Sequence, residues 1–543
     1  MRKWKKSYLT LMVVISALLL LFVGCSEETD GNNNADGGNG NDNTSEKENF
    51  NATGLPIVDE EITIRVAGSY DERTGTEWNE LETFQMINEG TNVNIDWELA
   101  PGSDWSEKRN LMLAGNADLP DVMLTVPSAD VVVNGSHGQF IPLEDLIDEY
   151  APNLTAFLDE YPEVRRAITA PDGHIYSLPL ANMAEYKRSD GNTLWINTTW
   201  LDEVGKEMPE TTDELYEVLK AFKDADLGLP LTAVYDASTE GLGNLFGSFG
   251  TLDETFIVKE DEVEFVRATD EYKEVVKYLR KLFEEGLLDQ EIFSQEVNQM
   301  ISKLSSGDEA EVGAFFSWSA DRITNSDYKW DYESPIVPLI GPDGDQVTGF
   351  KNPQLDVGKF VITDANEHPE ATIRWADRAY EPEVSFALRQ GPNRTEKVED
   401  GKYEIVEAPE GYTSGEWRVK ETPYNRFIYG FSNEQQEMLD LSNLKEGFLD
   451  PDSPEWYDLR KDYMEKWLYP QVLFTKDQYD GIARYETDIL DHTDEMTAKW
   501  ITEGGIEDEW DSYIDTLNKM GLEDYTEIYQ EGYDTYIENS EED

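Results

Sequence analysis

Residues 62–68 read ITIRVAG, and the chain continues through WNELETFQMINEG (78–90), VNIDWEL (93–99) and DVMLTV (121–126). The first stretch alternates like a half-buried strand, the second is helix-like, and the third and fourth are strands again. Strand, helix, strand, helix, strand is the rhythm that builds a mostly parallel sheet with helices packed on it. The same unit recurs further on. TTDELYEVLKAFKDA (211–225) reads as a helix, with Thr211 and Glu214 at capping-box spacing and Leu215, Val218, Leu219 and Phe222 on one face. EYKEVVKYLRKLFEEG (271–286) is another, with Val275, Leu279, Leu282 and Phe283 as its stripe and Gly286 as its cap. EVGAFFSWSADR (311–322) reads as a strand running into a helix start. GKFVITDA (358–365) followed by HPEATIRWADRAY (368–380) repeats the strand–helix unit, and beyond about 430 the pattern is mostly helical. The fold class is therefore α/β with a helical C-terminal part.

The 543 residues suffice for two or three domains, and 39% hydrophobic with 11% aromatic residues is too apolar for a disordered acidic chain. Against 44 Lys+Arg stand 114 Asp+Glu, a formal charge of −70. That field repels phosphate backbones and argues against a nucleic-acid partner. One cysteine excludes a disulfide framework and a cysteine-based zinc cluster.

That cysteine, Cys25, ends a leader of basic residues (Arg2, Lys3, Lys5, Lys6) and a 15-residue apolar run, Leu9–Val23. The run is short for a membrane span and right for a signal peptide. With Gly24 before Cys25, the segment resembles a bacterial lipoprotein signal, departing from it in Phe22 where leucine is usual. The resemblance implies cleavage after 24 and lipidation of Cys25, palmitate included. Residues 25–56 then form a Gly/Asn/Asp-rich tether. This tether superficially suggests a calcium loop, but Ala35 replaces the turn glycine and Asn41 the bidentate glutamate, so no metal is expected there.

Four stretches, at 93–124, 138–179, 194–223 and 501–536, together resemble one family in order and spacing: the extracellular solute-binding lipoproteins of carbohydrate ABC importers, the LipO-like group of family 1. Family members often carry a calcium-like loop after the helix that here ends in AFK; DADLGLP (224–230) is too short to supply six or seven oxygen ligands. The resemblance implies a two-lobed, type II periplasmic-binding-protein-like fold with mixed sheets, closing on its ligand like a hinged trap. Lobe 1 would hold 57–180 and 356–389, and lobe 2 would hold 181–355 and 390–543. It further implies a monomer without cofactors, anchored on the outer face of a Gram-positive membrane and partnered by the permease subunits of an ABC transporter.

No G-x-S-x-G, P-loop, H-E-x-x-H or G-x-G-x-x-G motif is present, and the four histidines are scattered. A sugar receptor needs aromatic platforms and fixed polar groups, at the carboxyl ends of strands. Five places satisfy both conditions. They are Tyr70 and Trp78 after the first strand, Ser128 and Asp130 after DVMLTV, Asn244 and Phe246 in the Gly-rich 239–250 loop, Trp318 and Arg322 after GAFFSW, and Phe350 and Asn352 near the crossover. Trp78 reads equally well as core, and Arg394 reads as a surface ion pair. The leading expectation is a membrane-anchored receptor capturing an oligosaccharide for import. A secreted polysaccharide-active glycosidase or lyase, or a surface lipoprotein that does not transport, remain alternatives.

Overall fold

The computed structural model describes residues 49–541, apart from 76, 116–117, 185–191, 236, 238, 321–322, 325–327, 329–330, 336, 350–353, 399–400, 407, 411, 413 and 441–453. The leader, Cys25 and most of the tether lie outside the described residues.

ITIRVAG opens the Ile62–Tyr70 strand, which sits inside a six-stranded sheet. The order is Tyr429–Phe431, Leu178–Asn182, Gln354–Ile362, Val122–Leu124, Ile62–Tyr70, Val93–Pro101. Only Gln354–Ile362 runs antiparallel to its neighbours. The sheet is covered by apolar helix faces, and its core holds an aromatic cluster. Trp78 stacks on Phe84 with centroids 5.2 Å apart and meets Trp97 edge-on at 5.0 Å. Buried Trp375 stays satisfied by donating its Nε1–H to Asn88 at 2.7 Å.

A second sheet has its own core and runs Tyr332–Glu333, Thr193–Asn197, Val312–Ser317, Leu229–Thr232. Against it lies the Thr212–Asp224 helix, whose capping box from Thr211 and Glu214 forms as the sequence reading requires. Residues 225–228 turn directly into the Leu229–Thr232 strand. Among the described residues, no group of three or more His, Cys, Asp or Glu could hold a metal ion. Three C-terminal helices, Lys476–Glu503, Ile506–Met520 and Leu522–Glu541, complete this half.

One assignment needs correction. The sequence reading placed everything after 390 with the second lobe, but Tyr429–Phe431 pairs in parallel with Leu178–Asn182 in the first sheet. The reason is burial: Phe427, Ile428, Tyr429 and Phe431 all join the first core. Among the described residues the chain therefore passes from the first sheet to the second after Asn182, returns after Glu333, and leaves again after Phe431 for the C-terminal helices on the second core. Leu473, just before the C-terminal helices, reaches back to pack with Val131 and Phe140.

At the end of Leu229–Thr232 a buried polar knot fixes the second half. Asp289 accepts from Thr232 at 2.7 Å and from Lys303 at 2.8 Å. Burial alone would raise the Asp289 carboxyl; the Lys303 and backbone donors outweigh it and hold the group below its ordinary value. A depressed carboxylate contributes stability above its unfolded value, near 4, and loses it as pH falls through the folded value. Urea unfolding is expected to weaken between pH 6 and pH 3, and Asp289→Asn to flatten part of that slope.

Candidate ligand site

Ile62–Tyr70 and Val122–Leu124 end side by side, and the antiparallel Gln354–Ile362 strand begins beside them. Between these ends and the 102–109 segment lies a cavity of about 390 Å³. Its wall depends on an irregularity in Gln354–Ile362, where the pairing register shifts between Asp356 and Phe360. Gly358 sits at the shift with φ +73°. Its carbonyl accepts from Val126 N–H at 2.7 Å, and its N–H donates to Ser177 at 3.1 Å. The shift brings both Asp356 and Lys359 to the cavity.

The lining is polar with one aromatic wall. Trp105 is buried and donates its Nε1–H to the Thr125 carbonyl at 3.0 Å. Arg109, 7% exposed, pairs with Asp130 at 3.1 Å. Lys359 lies 3.4 Å from Asp356 and donates to the Asn425 carbonyl at 2.9 Å. Burial lowers the Lys359 ammonium, Asp356 opposes that, and Arg426 adds to it. Ser69 and Thr125 also line the cavity, and their buried hydroxyls have no hydrogen-bond partner among the described residues. Both carboxylates here are ion-paired, so the cavity offers fixed donors and acceptors around an open space. That suits recognition of a hydroxyl-rich molecule. A larger cavity of about 670 Å³ lies between residues 52–57 and the 148–159 and 374–381 segments, where no strand end contributes.

The candidate residues divide. Ser128 lines the cavity, and Asp130 is the partner of its Arg109. The Tyr479 hydroxyl rests against Ser128, and burial pushes it up to about 12. Tyr70 is half-buried against the first core, whereas its neighbour Ser69 takes the cavity position. This is the period-2 alternation of a strand read one residue out of phase. Trp78 is fully buried in the aromatic cluster and leaves no face for a ligand. Phe246 is likewise core, 4% exposed and 6.1 Å from Tyr272. The loop's glycine serves packing, since a Cβ on Gly247 would stand 1.7 Å from the Val347 carbonyl oxygen. Asn244 is half-buried in the Gly243–Phe249 turn of 3₁₀ helix, away from the cavity. Trp318 is half-buried immediately beyond Val312–Ser317, at the carboxyl end of a second-sheet strand. Arg322, Phe350 and Asn352 lie outside the described residues. Arg394 is 4% exposed and so does not lie at the surface.

Missed by the sequence reading were Trp105, Arg109, Lys359, Asp356 and Arg426. Arg109 gave one usable signal, a cation on the segment following a strand, although helices carry such residues everywhere.

Two α/β sheets with separate cores, joined by crossing segments and bearing a polar cavity at strand carboxyl ends, define a two-lobed solute receptor of type II architecture. The chain belongs to the bacterial extracellular solute-binding protein family, whose model matches residues 74–385. It is 33% identical over 530 residues to the fructooligosaccharide ABC transporter substrate-binding protein FusA of Streptococcus pneumoniae serotype 4, covering 92% of this chain and 95% of that protein. Lipoprotein LipO of Bacillus subtilis is 24% identical over 59% of this chain and 64% of its own length. Among solved structures, FusA in complex with kestose superimposes with a TM-score of 0.75 at 31% identity, covering 88% of this chain and all of that one. A human-milk-oligosaccharide-binding protein from Bifidobacterium longum infantis shares the fold, with a TM-score of 0.74 at 24% identity, covering 88% of this chain and 99% of that one.

Proposed function

We propose that this protein captures an oligosaccharide, of the fructose-containing class, outside the cell and presents it to an ABC permease. The observation that carries the reading is the cavity, with its unpartnered Ser69 and Thr125 hydroxyls beside Trp105 and Arg109. The near full-length likeness to a fructooligosaccharide receptor supports the sugar class. Binding proceeds by ligand-stabilised closure of lobe 1 (57–180, 356–389 and the 429–431 strand) on lobe 2, with Trp318 as the facing aromatic platform. The ligand therefore has to bind the closed state more tightly than the open one. The protein acts as a monomer and leaves its ligand chemically unaltered. Thermal unfolding tests this. A fructooligosaccharide at 100 times its Kd should add about 2.7 kcal/mol of stability and be recovered intact by chromatography. Shortened products would favour the glycosidase alternative instead.

Anchoring is through Cys25, lipidated on the outer face of a Gram-positive membrane after removal of residues 1–24, which contain four basic and no acidic residues. The anchored chain then carries a formal charge of about −74. Two lipid attachments hold such a chain far more firmly than one. Cys25→Ala is expected to abolish palmitate labelling of the protein in growing cells. Undiminished labelling contradicts the anchor.

A further inference from the structure

Residues 467–474, WLYPQVLF, lie against both cores at once. The start of this segment is fixed to the second half. The Trp467 carbonyl accepts from Val258 N–H at 2.7 Å, Leu468 bridges to Ile257, and the Tyr469 hydroxyl donates to the Tyr529 carbonyl at 2.7 Å. The Leu522–Glu541 helix comes close enough that a Cβ on Gly532 would stand 2.5 Å from the Phe474 ring and 2.8 Å from the Tyr469 hydroxyl.

Beyond Pro470 successive side chains part company. Val472 and Phe474 pack on the second core, whereas Leu473, 7% exposed, enters the cluster on the first sheet that includes Trp105 and Val126. That is the period-2 alternation of extended chain, and it puts Gln471 on the same side as Leu473. Gln471 accordingly lines the strand-end cavity, whose wall Trp105 and Val126 also form.

Gln471 is half-buried, and among the described residues its amide has no hydrogen-bond partner. Packing between two apolar clusters calls for an apolar side chain there, so the amide answers to the cavity rather than to the core. Its carbonyl accepts and its NH₂ donates, which matches two neighbouring sugar hydroxyls, each able to do either. Residues 470–474 belong to no helix or strand, yet their side chains are inserted alternately into both halves. Close-packed cores shift as units, so neither half can move against the other without moving this segment.

We propose that Gln471 hydrogen-bonds a pair of hydroxyls on the bound saccharide and ties the ligand to the 467–474 segment, through which an occupied cavity sets the closed arrangement of the two halves. The assignment rests on the oligosaccharide reading above and deepens it. A bond made more strongly in the closed arrangement is what lets the ligand favour that state.

Calorimetry with kestose, and hydrogen–deuterium exchange with and without it, on the mature chain and on Gln471→Met test the proposal. Methionine keeps the length of the side chain and loses both polar ends. Affinity is expected to fall about 10-fold, in keeping with two lost hydrogen bonds, while the melting temperature without ligand stays within a few degrees. In the unaltered chain, saturating kestose should slow amide exchange across 467–474. In Gln471→Met, with kestose raised to the same occupancy, most of that slowing should be lost. Unchanged affinity in the variant overturns the contact; slowing retained in the variant, or absent from the unaltered chain, overturns the coupling. A fall in melting temperature that matches the loss of affinity marks Gln471 as structural and overturns the proposal too. An unaltered chain that binds neither kestose nor longer fructooligosaccharides sinks the oligosaccharide reading together with this one.

Discussion

Alanine at Gly358 is expected to destabilise the protein by about 3–5 kcal/mol, the range of the most damaging single changes. Two penalties act together. The backbone at φ +73° is one that L side chains rarely adopt, and a Cβ there would stand 1.9 Å from the Val126 carbonyl oxygen. Because backbone faces backbone, no rotamer change relieves the clash. Relief requires the strand to lose the Val126–Gly358 and Gly358–Ser177 hydrogen bonds that hold the cavity wall. Gly344→Ala is the control, at φ +94° with nothing within 4 Å of its Cβ position. It should cost only the conformational term, about 1 kcal/mol. Urea unfolding of both variants measures the difference, and equal effects would show that the close approach at Gly358 is not what shapes the strand.

Ser128→Trp carries the largest expected effect on binding. Ser128 begins the Ser128–Ser136 helix and lines the cavity, so an indole there occupies the space a sugar ring needs. Affinity for kestose should fall at least 100-fold, about 2.7 kcal/mol, while the melting temperature stays within a few degrees. Ser136→Trp, at the exposed far end of the same helix, should leave affinity unchanged. Equal affinities for the two variants would place the ligand elsewhere.

Much of the fold was legible because periodicity reports burial directly. ITIRVAG and VNIDWEL became adjacent parallel strands, and the Thr211–Glu214 capping box appeared where its spacing put it. The Tyr429–Phe431 strand was not legible: three residues are too few to show alternation, and its partner lies some 250 positions earlier. The site divided along the same line. Ser128 and Asp130 followed from lying just past a strand end. Trp78 looked the same in sequence, but the Phe84 and Trp97 rings packed on it made it core.

The chain carries a formal charge of −70. A field of that kind keeps an exposed protein hydrated and soluble.

If the polar cavity receives an oligosaccharide, titration calorimetry of the mature chain with kestose, longer fructooligosaccharides and free fructose should show saturable one-to-one binding of the oligosaccharides, with fructose at least about 100-fold weaker because one ring makes only part of the contacts. Absence of heat with every oligosaccharide, or equal affinity for the monosaccharide, would contradict the oligosaccharide reading.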